Sequence, residues 1–73
     1  MTNREGLGPA VQQALLTQEL KRLRAAAELT QAEVAADREW SISKFTRMEN
    51  GAAPIGKSDL EGLLRLYGVS DPE

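Results

Sequence analysis

The stretch Leu29-Thr30-Gln31-Ala32-Glu33-Val34-Ala35-Ala36-Asp37-Arg38-Glu39-Trp40, continuing Ser41-Ile42-Ser43-Lys44-Phe45-Thr46-Arg47-Met48-Glu49-Asn50-Gly51, decides how this chain folds. Thr30-Gln31-Ala32-Glu33 spells a capping box. In it the Glu33 N–H donates to the Thr30 hydroxyl and the Thr30 N–H donates to the Glu33 carboxylate. A helix therefore starts at Gln31 and runs to about Arg38, with Val34 and Ala35 inward. Ser41 is the next N-cap. A second helix follows from Ile42 to about Asn50, and Gly51 supplies a left-handed stop. Only Glu39 to Ser41 separate the two helices.

The second of these helices has two unlike sides. With 100° per residue and Phe45 at zero, Met48 falls at about −60° and Ile42 at about +60°, an apolar arc. Thr46, Asn50, Ser43 and Arg47 fall between about 100° and 200°, on the opposite side, with no acid among them. Glu49, at about 40°, turns inward. Lys44 lies on the flank. Two short capped helices joined by a tight turn are a helix-turn-helix arrangement. Its second helix suits a DNA major groove: Ser and Thr are short enough for close approach, and Arg can donate two bonds to guanine O6 and N7. The free N–H groups at both helix starts can meet phosphates, with the Gln31 side chain as an added donor.

Working outward, no strand pattern occurs. Leu16, Leu20, Leu23 and Ala27 make one stripe of a helix over about 10–28, with Pro9 at its first position. Residues 1–8, with two glycines, read as a flexible N-terminal arm, and 9–73 as one domain. Ser58-Asp59-Leu60-Glu61 reads as a second capping box, opening a helix whose inner face is Leu60, Leu63, Leu64 and Tyr67 and whose stop is Gly68. Gly62 inside it costs about 1 kcal/mol against Ala, and a close helix contact there is a reason to keep it. Asp71-Pro72-Glu73 announces another helix where the sequence ends, as expected of a fragment of a longer chain. The fold class is all-α, with four or five helices.

Composition removes several functions. At 73 residues there is room for one small core. With no Cys and no His, disulfides, thiolate zinc sites and imidazole acid–base chemistry are absent. No phosphate-cradling Gly-rich loop follows a strand, and no metal-ligand spacing occurs, so neither an enzyme nor a cofactor is expected. The longest apolar run is three residues, too short for a membrane span or a signal-peptide core, which points to the cytoplasm. Net charge is −2, which taken alone argues against nucleic acid. The charge is uneven, however. Residues 21–47 hold Lys21, Arg22, Arg24, Arg38, Lys44 and Arg47 against Glu28, Glu33, Asp37 and Glu39, whereas the last third is acidic.

Leu29-Thr30-Gln31-Ala32-Glu33-Val34-Ala35 with Trp40-Ser41, Ser43-Lys44-Phe45 and Arg47-Met48-Glu49-Asn50-Gly51 resembles the helix-turn-helix domain of the XRE/Cro-repressor superfamily, over roughly residues 14–70. The spelling is similar to that of actinobacterial regulators in which this domain precedes a larger C-terminal one. The resemblance implies a λ-repressor-like bundle that binds double-stranded DNA, as a homodimer, in the nucleoid. An effector or partner protein would act through a missing C-terminal domain. By the same resemblance Ile42, Ser43 and Arg47 reach base edges, and Thr46, on the same side of the helical wheel, is counted with them as a base contact. Gln31, Ser41, Lys44, Asn50 and, after Gly51, Lys57 lie near phosphates. Arg24 and Glu49 match a buried ion pair joining the first and third helices. The helical wheel sends Ile42 to the core edge and the resemblance sends it to DNA; both readings stand.

Two residues depart from the family pattern. Arg38 and Glu39 stand where an apolar residue and Gly are common. Arg38 is expected to lie along the surface with its stem buried. Glu39 must take a turn conformation that Gly adopts more easily. Trp40 reads as a cap over the core, and Lys21 and Arg22 as solvated cations. A protein-interaction module on the same fold, such as an antitoxin or a regulator's partner using the acidic residues 59–73, is the alternative.

Overall fold

The computed structural model describes residues 8–69. The N-terminal arm and the helix start at Asp71-Pro72-Glu73 lie outside the described residues. Four helices follow one another: α1 Pro9–Ala26, α2 Gln31–Arg38, α3 Ile42–Glu49 and α4 Lys57–Leu66. The fold is all-α, as the periodicity requires, and α3 packs against both α1 and α2.

Both starts of the central helix pair are as spelled. The Glu33 N–H donates to Thr30 Oγ1 at 3.1 Å and the Thr30 N–H to Glu33 Oε1 at 2.9 Å, so the capping box is complete. Lys44 N–H donates to the Ser41 hydroxyl at 3.0 Å. Pro9 opens α1. The second capping box does not form. Helix α4 begins at Lys57, with Gly56 extended before it and the Leu60 N–H on the Gly56 carbonyl at 2.9 Å. Ser58 thus lies inside the first turn, where its hydroxyl cannot cap.

All four helices stop the same way. A left-handed residue follows each: Glu28 (φ 62°), Glu39 (φ 63°), Gly51 (φ 79°) and Gly68 (φ 83°). The next N–H reaches back across the last turn: Leu29 to Arg24 O, Trp40 to Ala35 O, Ala52 to Arg47 O and Val69 to Leu64 O. This is the Schellman pattern, which satisfies terminal carbonyls. It also corrects the first helix, expected to reach residue 28. Glu28 has left the helical region, and α1 ends at Ala26.

The core is Leu20, Val34, Ala35, Phe45, Met48, Leu63 and Tyr67, with Leu16, Leu23, Leu29, Trp40 and Ile55 among the residues packed around it. Phe45 and Met48 are almost wholly enclosed. Burying each of two such side chains is worth about 1.5–3 kcal/mol, so α3 is fixed by its inner face and its outer face is left over.

Candidate nucleic-acid interface

Three ties hold α3 in place. The first is the pair implied by the resemblance. Arg24 Nε donates to Glu49 Oε2 at 2.7 Å and Arg24 Nη2 to Glu49 Oε1 at 3.2 Å, while Arg24 Nη1 donates to the Leu29 carbonyl at 2.9 Å. Glu49 is 2% exposed. The hydrogen bond to Glu49 raises the Arg24 pKa above its ordinary value. The second tie was not legible in the sequence. Gln31 Nε2 donates to Glu49 Oε1 at 2.7 Å, and Thr46 Oγ1 donates to Gln31 Oε1 at 3.2 Å. One carboxylate therefore joins α1, α2 and α3. The third is aromatic: Trp40 stacks on Phe45 with ring centroids 5.9 Å apart.

With that frame set, the positions of the candidate residues follow. Ser41, Ser43, Lys44, Arg47, Asn50 and Lys57 are exposed, and Phe45, Met48 and Glu49 are buried. Ile42 is 52% exposed, which resolves its two readings in favour of the outside. It sits in the first turn of α3, ahead of the part of the helix that the core covers. Ser43 and Arg47, four residues apart, share the open side, and Arg47 has no ion-pair partner among the described residues. Thr46 is half-buried, its hydroxyl proton given to Gln31. Gln31 is also half-buried; one of its amide N–H groups goes to Glu49, and its second is directed by that bond. Arg22 pairs with Glu19 on the exposed side of α1, in keeping with a solvated role.

The region around Arg38 is the part that sequence reading left least defined. Glu39 does take the left-handed conformation. Arg38 Cζ lies 5.5 Å from the Trp40 ring centroid, and Lys44 Nζ 5.2 Å from the same ring. A Cβ on Gly62 would come within 2.6 Å of the Arg38 guanidinium. The close neighbour of Gly62 is therefore the end of this side chain and not the backbone of a neighbouring helix, as a close helix contact would have it.

A family described as a helix-turn-helix domain matches residues 15–73. The chain belongs to the helix-turn-helix domain family. Neither a curated protein nor a solved structure matches it significantly. Helix-turn-helix domains bind DNA through their second helix, which in this chain is α3. Among the described residues no helix is long and apolar enough to cross a membrane.

Proposed function

We propose that this chain is the sequence-specific DNA-binding domain of a bacterial transcription regulator of the XRE type, with α3 in the major groove. The observation that supports it most is the division of α3 into a buried face of Phe45, Met48 and Glu49 and an open one of Ile42, Ser43 and Arg47. Arg47 pairs with a guanine edge, Ser43 bonds a neighbouring base, and Ile42 meets a thymine methyl. Thr46 lies beside them, its orientation set by Gln31.

Gln31, Ser41, Lys44, Asn50 and Lys57 hold the phosphates and so fix the register of the helix. Arg24 and Glu49 act on affinity only through the placement of α3. The domain works without a cofactor and catalyses no reaction. It binds as a homodimer on half-sites about one helical turn apart. Its effector acts through a further domain, in the cytoplasm.

Selection of bound sequences from a random DNA pool tests this reading and reports half-site spacing as well. A recovered motif, with binding that weakens steeply as salt rises, is the expected result. Recovery of no motif, with no salt-sensitive binding, contradicts it. That second outcome favours a protein-interaction module, the reading to which the net charge of −2 inclines.

A further inference from the structure

Arg38 occupies an unusual position for a cation. Its Nε is buried and has no hydrogen-bond partner. No carboxylate pairs with it among the described residues, although Asp37 and Glu39 are its neighbours in sequence and both are exposed. Its guanidinium lies against the bare Cα of Gly62 on α4 and faces the Trp40 ring. Lys44 brings a second cation to that ring from the first turn of α3. Two cations thus approach one indole, and neither has an ion-pair partner among the described residues. Cation–π attraction to the ring offsets part of the cost of gathering them. An anion would complete the arrangement, since guanidinium and ammonium donors form their strongest bonds with phosphate or carboxylate oxygens.

We infer that Arg38, Trp40 and Lys44 form a backbone-phosphate site at the start of α3, separate from the Gln31 end of the helix-turn-helix, with Gly62 keeping the space that the guanidinium needs. The site rests on the DNA-binding reading above and adds to it Arg38, a residue that the wheel and the resemblance both left out. Phosphate is favoured over a protein carboxylate because Lys44 belongs to α3, whose exposed side carries Ser43 and Arg47. A duplex lying on that side passes within reach of Lys44. The contact is with the sugar–phosphate chain, so it contributes affinity and register but no sequence preference.

The test uses the 73-residue chain, the tightest duplex recovered from a random pool, and an unrelated duplex of equal length. Dissociation constants are measured across a salt series for the parent, Arg38→Met, Lys44→Gln and the double variant. Arg38→Met keeps an apolar stem in the buried part of the site. Lys44 is exposed, so Lys44→Gln leaves the fold intact should the first variant be damaged; circular dichroism checks both.

The expected result is a salt slope shallower by about 0.9 for each single variant and about 1.8 for the double, on both duplexes. Trp40, the only Trp, should change fluorescence on DNA binding in the parent and much less in the double variant. If the parent binds DNA with a steep salt slope and Arg38→Met retains it, Arg38 touches no phosphate and the inference fails while the DNA reading stands. If the parent binds neither duplex, both fail.

Discussion

Glu49 is the residue on which the placement of α3 turns. Its carboxylate accepts from Arg24 and Gln31 while 2% exposed, so it is buried but paired. Replacing such a pair with apolar groups can be neutral, whereas removing one partner strands the other. Glu49→Ala should cost about 3–5 kcal/mol in a denaturant titration, because the Arg24 guanidinium is left without its carboxylate. A near-neutral change would show that the pair holds nothing. Tyr67 is the opposite case. Its hydroxyl is buried without a partner. Desolvation, then the nearby Glu49 charge, pushes its pKa up to about 12 from 10.0. The folded chain thus keeps the phenol proton where the unfolded chain releases it. Stability from this group is complete below pH 10 and declines as pH rises toward 12. Tyr67→Phe should remove that alkaline component from the stability–pH curve and be neutral or stabilising near pH 7, since a buried unpaired hydroxyl costs about 1–3 kcal/mol. An identical alkaline decline in the two proteins would refute this.

Among the elements, the helix stops show what a sequence can and cannot disclose. Gly51 and Gly68 announce left-handed stops because glycine carries no Cβ penalty there. Glu28 makes the same stop with no such signal, which is why the first helix was expected to run two residues too far. Glu39 was legible only against the family pattern, where Gly stands. Helix starts divide similarly. The Thr30 box formed because its first residue precedes the helix. The Ser58 box did not, because Gly56 begins α4 two residues earlier. The buried face of α3 could be read from its period, but the bonds among Gln31, Glu49 and Thr46 could not, since they join residues on separate elements. Glu28→Gly and Glu39→Gly should each stabilise the chain, by about 0.5–1 kcal/mol after the added entropy of the unfolded glycine is counted. Thermal melts read the gain directly. A loss in both variants would mean that the glutamate side chains contribute more than their backbone strain costs.

For the whole molecule, net charge misleads. An overall −2 coexists with an α3 whose exposed cations, Lys44 and Arg47, stand among small polar side chains. Glu49, the one acid on α3, is turned inward and neutralised, and the exposed Asp37 and Glu39 lie on α2 and in the turn after it, off the open side of α3. Affinity for a duplex therefore depends on where the charge lies, and it should fall steeply with salt despite the acidic total. The measurement that tests the central claim most directly compares the parent chain and Arg47→Ala on a selected duplex and on its single-base-pair variants. The parent should discriminate at the guanine facing Arg47 by about 1–3 kcal/mol, and the variant should lose discrimination at that position alone. Equal base preferences for the two proteins at every position would contradict the reading of α3 as the helix that recognises DNA.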